Sequence, residues 1–179
     1  MKCRFLLTLL FVVAVTEKPV KGADATRTKG ASLPHRVEIP GHPWPARLRE
    51  VNEAPISRKD AAFDALSLAE KLEFATFYLL EYEPPDVHWI FKLWKLKDPG
   101  TARTLRDMIL AEKSDHFAEA LMGCAKYMAK GATQADYELL KKAGVARLRS
   151  IKNHEFRLAA AEDLEQMERM YEETKGDGG

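Results

Sequence analysis

Three regimes of hydrophobic patterning divide the 179-residue chain. An apolar run broken only by Thr8 extends from Phe5 to Val15, behind the basic residues Lys2 and Arg4. It has the length of a signal-peptide core and is too short for a stable transmembrane span. From Thr26 to Pro55 no sustained period appears. Pro34, Pro40, Pro43, Pro45 and Pro55 each remove a backbone donor there and bias the preceding residue away from helix. After Ile56 apolar residues recur at helical spacing, and nothing alternates with period two over a useful length.

Within the third regime the elements can be read in turn. Ser57 and Asp60 have the spacing of a capping box. Phe63, Leu66, Ala69, Phe74, Phe77 and Leu80 follow, and Leu72, Ala75 and Leu79 widen the same face. This predicts one long first helix, ended by Pro84-Pro85. Asp86 caps a short second helix carrying Trp89, Ile90, Leu93, Trp94 and Leu96, stopped by Asp98-Pro99-Gly100. Thr101 opens the next, with Leu105, Met108 and Ile109 facing inward. Ser114 either caps a fresh helix toward Phe117, Leu121 and Met128 or lies inside a continuous one. Gly131 is placed as a left-handed stop. Thr133 with Asp136 starts a helix through Tyr137, Leu140 and Leu148, and the last runs from near Asn153 to Glu173. The expectation is an all-α bundle of about five to six helices over residues 57–174. An extended Pro-rich arm over 26–56 precedes it, and a flexible tail over 175–179 follows.

The N-terminal run sets the expected compartment. Ala23-Asp24-Ala25 supplies small residues for cleavage after Ala25, although Glu17 interrupts the approach and cleavage after Ala14 is an alternative. A mitochondrial presequence would be amphipathic rather than continuously apolar, so residues 1–25 are read as a secretory signal peptide. What remains, about 155 residues, suits one domain with a real core. Twenty-eight basic residues against twenty-seven acidic ones leave no strong electrostatic case for nucleic acid or a membrane surface. Beyond Cys3 the only cysteine is Cys124, which falls at helical spacing with Leu121, Ala125 and Met128. It reads as a small buried apolar residue, and no internal disulfide is available after leader removal. No Asn-x-Ser/Thr sequon occurs.

The residue spacing contains no catalytic constellation. The Glu-x-x-His pairs of a di-metal bundle are absent, as are His-Glu-x-x-His, Cys-x-x-Cys and phosphate-cradling glycine motifs. Serine nucleophile elbows are absent too. Glu112 and His116, at i and i+4, read as a solvated pair rather than shared metal ligands. Lys141, Lys142, Arg147, Arg149 and Lys152 are followed at once by Glu155, Glu162, Asp163 and Glu165, a mixed surface rather than a nucleic-acid footprint. The expectation is a protein that is not an enzyme, with no cofactor, no metal site and no nucleic-acid or membrane partner after leader removal.

Residues 101–171 carry landmarks that resemble a known domain. They are Ala125-Lys126-Tyr127-Met128-Ala129-Lys130-Gly131-Ala132, then Tyr137-Glu138 and Ala146-Arg147-Leu148. Next come Ser150-Ile151-Lys152, His154-Glu155-Phe156-Arg157-Leu158 and Leu164-x-x-Met167. Their order resembles the helical C-terminal D domain of the endoplasmic reticulum protein twenty-nine family, which also trails the thioredoxin modules of some protein disulfide isomerases. Glu162-Asp163-Leu164 stands where that family usually has Asn-Ile-Leu. No thioredoxin fold fits into the Pro-rich arm before Ser57, so properties carried by that domain, dimerisation included, do not transfer. The C-terminus is not a Lys-Asp-Glu-Leu-type signal, so retention in the endoplasmic reticulum would run through a bound partner.

The resemblance implies a redox-inactive chaperone or escort for protein folding and secretion, in the endoplasmic reticulum lumen or secreted. Its partners would be secretory client proteins or lumenal chaperones. Trp89, Phe91 and Trp94 share a short helix and cannot readily all point into one core, with Phe91 read as lying on a different face from Trp89 and Trp94. Together with Trp44, in His42-Pro43-Trp44-Pro45, they are the candidate protein-binding residues. Burial of the three helix aromatics, and of Trp44 against the domain's own core, is the alternative. A helical accessory subunit of a mitochondrial complex is a second functional reading. A helical-repeat RNA binder is a third, although the helix lengths are too uneven for a fixed period.

Overall fold

Proline does the opposite of what the pattern implies at two places. Pro45 (φ −57°) and Pro55 (φ −52°) stand immediately before helices, where a fixed φ is already near-helical and the missing N–H has no partner to lose. Their carbonyls accept the first helical bonds, from Arg49 N (3.0 Å) and Lys59 N (2.9 Å). The chain is therefore helical from Ala46, and the last part of the segment expected to be an extended arm is not extended. The expected Ser57–Asp60 box does not form, because the helix after Pro55 starts at Ile56 with no side-chain cap.

The computed structural model describes residues 44–81, 86–96 and 98–176. Eight helices occur among them: α1 (Ala46–Glu53), α2 (Ile56–Asp64), α3 (Leu68–Glu81), α4 (His88–Leu96), α5 (Thr101–Ala111), α6 (Asp115–Ala129), α7 (Gln134–Leu148) and α8 (His154–Gly176). No strand is present among the described residues, so the all-α expectation holds while the count of five to six is too low. The leader, the arm up to Pro43, Pro84-Pro85 and residues 177–179 lie outside the described residues. Lys175 and Gly176, expected in a flexible tail, close α8.

The two extra helices have different causes, one local and one tertiary. The expected long first helix is broken between Asp64 and Leu68. There Ser67 and Glu70 form the true capping box: Ser67 N and Oγ donate to Glu70 Oε2 (2.8 and 2.6 Å), and Glu70 N donates to Ser67 Oγ (3.4 Å). The other addition, α1, is too short at eight residues to be stable alone. It is held by burial of Leu48 and Val51, about 1.5–3 kcal/mol for each such side chain. A hydrogen bond from the Tyr78 hydroxyl to Asn52 adds to this.

Other boundaries are set by side-chain caps and a glycine stop. Ser114 Oγ accepts from Phe117 N (3.3 Å), so α6 is a fresh helix. Thr133 Oγ1 accepts from Asp136 N (3.1 Å), and Asn153 Oδ1 accepts from Glu155 N and Phe156 N (2.9 and 3.2 Å). Gly131 adopts φ 81° after α6, as a left-handed stop requires.

α6 is the central element. Its buried residues include Phe117, Leu121, Met122, Gly123, Cys124 and Met128, and it packs against α3, α4, α5, α7 and most extensively α8. An aromatic cluster fills the α1–α4 end. Trp44 stacks on Phe77 (4.3 Å) and meets Phe74 edge-on (5.7 Å), and Phe63 and Phe74 close on Trp89 (4.5 and 5.2 Å). At the other end Tyr137 of α7 stacks on Tyr171 of α8 (3.9 Å).

Candidate functional site

The four aromatic candidates separate. Trp44 (6% exposed) and Trp89 (5%) belong to the core, as the alternative reading for them anticipated. Phe91 stays 44% exposed, and Trp94 is half-buried. Being three residues apart, Phe91 and Trp94 are neighbours on α4. The expected grouping of Trp94 with Trp89 is therefore corrected: Phe91 and Trp94 share one side and Trp89 the other. Lys92 lies across Phe63 and Trp89 (5.2 and 5.5 Å) and reaches Asp60 and Asp64 on α2 (2.7 and 3.1 Å). That clamp pins the inner side of α4 and leaves the outer side open.

Trp94 forms the wall of a groove of about 510 Å³ between the end of α4, the start of α5, the end of α6 and α7. Leu93, Pro99, Ala102, Met128 and Leu140 supply its apolar lining. Gly131 makes the wall possible. A Cβ on it would come 2.7 Å from Trp94 Cζ2, so the indole rests on bare backbone. Thr174 near the end of α8 holds that backbone by accepting from Gly131 N (3.1 Å).

Polar groups are few and specific. Thr101 is 6% exposed, and its Oγ1 has no hydrogen-bond partner. A buried hydroxyl without a partner costs about 1–3 kcal/mol. Asp98 Oδ1 accepts from Gly100 N (2.7 Å), and Asp136 Oδ2 accepts from the Thr133 hydroxyl (2.8 Å). Among the described residues these two aspartates are the charged members of the lining. Sequence reading singled out Trp94 but not the groove. Thr101, Asp136, Met128 and Gly131 looked like caps, stops and core, and only the packing of α4 to α7 brings them to one wall.

The other chemical candidates resolve structurally. Glu112 and His116 do not share a helix: Glu112 follows the end of α5 and accepts from Lys113 N and Ser114 N (both 2.7 Å), whereas His116 of α6 stacks on Phe156 (4.5 Å). Both line a second hollow of about 680 Å³ together with Arg147 and Lys152. Burial lowers the His116 pKa. Arg147 is 7% exposed and ties α7 to α6 through Asp115 (3.2 Å). Asp115 also accepts from Lys152 N and Asn153 N (2.8 and 3.0 Å), and the Asn153 N–H above all holds its carboxyl below the usual range. Lys141 pairs with Glu168 (2.9 Å). Two members of the basic cluster, Lys141 and Arg147, are thus taken up in ion pairs with different helices.

Cys124 is fully buried, as expected, and burial pushes its thiol up to about 12. Thr76 gives its hydroxyl hydrogen to Leu72 O (2.8 Å), which leaves the Cys124 thiol to donate to Thr76 Oγ1 (3.2 Å). Beside it Lys126 donates to Asp163 between α6 and α8. Glu119 shares this surroundings, and burial, with the charge of Asp163 second, pushes its carboxyl up to about 7.

Among the described residues no three His, Cys, Asp or Glu are grouped so as to hold a metal ion, and no helix is long and apolar enough to cross a membrane. No family model, curated protein or solved structure matches the chain.

Proposed function

We propose that this chain is a non-enzymatic protein-binding module of the secretory pathway, an escort that offers the outer side of α4 and the adjoining Trp94 groove to client proteins. The observation that carries the reading is Phe91. It is a large aromatic residue 44% exposed, one turn from the groove wall formed by Trp94. An apolar patch continuous with a concave apolar site is the surface that a protein segment covers favourably. The compartment and the escort role rest on the resemblance to the D domain and on the signal-like N-terminus.

The test is a pull-down from secretory lumen extracts with the full chain and its Phe91→Ser variant, with helicity followed by circular dichroism. The reading expects lumenal chaperones or secretory precursors to be recovered, with recovery falling in the variant at unchanged helicity. Trp89→Ser, by contrast, should lose helicity, because Trp89 is core. Recovery of a stoichiometric respiratory or ribosomal complex, or recovery indifferent to Phe91, would overturn the reading.

A further inference from the structure

We infer that the Trp94 groove selects a peptide segment in which bulky apolar residues are flanked by lysine or arginine. This rests on the protein-binding reading above and adds the chemistry of the occupant. Leu93, Trp94, Ala102, Met128 and Leu140 accept an apolar side chain. A groove of about 510 Å³ lies within the range of ligand sites and holds one or two such side chains. Asp98 and Asp136 are the charged residues among the described residues that line the site. Each directs one oxygen to its own turn or cap, at Gly100 N and the Thr133 hydroxyl. The second oxygen of each is left to meet a cation.

The third observation is Thr101. Its side chain is more than nine-tenths buried, lines the groove, and carries an Oγ1 without a partner. A hydroxyl both donates and accepts, and Oγ1 is sealed off in this arrangement, so a backbone N–H or C=O of an inserted segment satisfies it once the lining side chains shift to admit it. A peptide fits better than a compact amine because the apolar surface does not end at the groove. Phe91, three residues before Trp94 on α4, is exposed outside the groove lining, and a small ligand would leave it uncovered.

Fluorescence anisotropy of the full chain with two labelled, end-capped peptides tests this. One is Ser-Lys-Leu-Phe-Leu-Lys-Ser, and the other replaces both lysines by glutamate. The lysine peptide should bind and weaken with added salt, and the glutamate peptide should bind at least about tenfold more weakly. Asp98→Asn with Asp136→Asn keeps both turn and cap acceptors and should abolish the preference. Thr101→Val should weaken the lysine peptide about three- to tenfold while the melting temperature holds or rises, a combination that a merely structural threonine would not produce. Equal binding of the two peptides, binding of neither, or a preference surviving the double substitution overturns the inference. So does saturable, aspartate-dependent binding of phenethylamine without any peptide binding. If lumenal clients still depend on Phe91 while the peptides show no preference, the basic selectivity fails alone. If the peptides behave as expected and client recovery ignores Phe91, the escort reading fails and the groove's chemistry stands.

Discussion

Replacing Gly131 by alanine tests the architecture of the groove. Two separate penalties are expected. Gly131 has φ 81°, a left-handed conformation that disfavours a residue with a Cβ by about 1–2 kcal/mol. The new methyl also lies 2.7 Å from Trp94 Cζ2 and 3.4 Å from Cη2, against a flat ring that cannot yield by rotating one terminal atom. Displacing it should add about 1–3 kcal/mol, the range for overpacking. Gly131→Ala is therefore expected to lose about 2–5 kcal/mol, a large share of a typical domain's stability. The two penalties separate in a double-mutant cycle. In a Trp94→Ala background the ring is gone, and Gly131→Ala should retain only the backbone penalty. Urea unfolding followed by circular dichroism at constant m-value reads all four corners. If Gly131→Ala cost the same in both backgrounds, the indole would not be resting on the glycine. A loss well under 1 kcal/mol would refute the left-handed stop itself.

Three further outcomes are expected. Because burial raises the Glu119 carboxyl to about 7 from an ordinary 4.5, the folded state holds that proton more tightly. The stability it contributes is full below pH 4.5 and lost as pH rises through about 7, on the order of 3 kcal/mol at most. Burial raises Asp163 in the same direction. Urea midpoints should fall between pH 5 and pH 8 and fall less in Glu119→Gln, and a variant that keeps the full slope would exclude Glu119 as its source. Cys124 should resist thiol-specific reagents at mildly alkaline pH and react at once in urea, and rapid labelling of the folded chain would contradict its burial beside Thr76. Asp115→Ala removes the acceptor of the buried Arg147 guanidinium and of two backbone N–H groups, and should destabilise by about 3–5 kcal/mol in chemical denaturation. Adding Arg147→Met should recover part of the loss, since the stranded charge goes with it.

Much of the fold is legible in the chain because helix ends are decided locally. Ser114, Thr133, Asn153 and Gly131 act at the boundaries their residue types predict, since a cap needs only a backbone N–H two or three residues away. Cys124 likewise reads correctly from its apolar neighbours. The same local rules misled where two of them competed. Pro45 and Pro55 break a helix when inside it and start one when just before it, and neither spacing nor composition tells which. Ser57–Asp60 and Ser67–Glu70 look alike as capping pairs, and only the second is used, because the chain turns there to bring α2 and α3 around Phe63 and Phe74. The division of Trp89 from Phe91 and Trp94 was decided by tertiary packing alone, as were the assembly of Thr101, Met128, Gly131 and Asp136 into one groove and the raised pKa of Glu119. The physical reason is common to all three. Helical periodicity says which side of a helix is apolar, whereas burial, desolvation and concavity depend on how many neighbours from distant sequence cover that side.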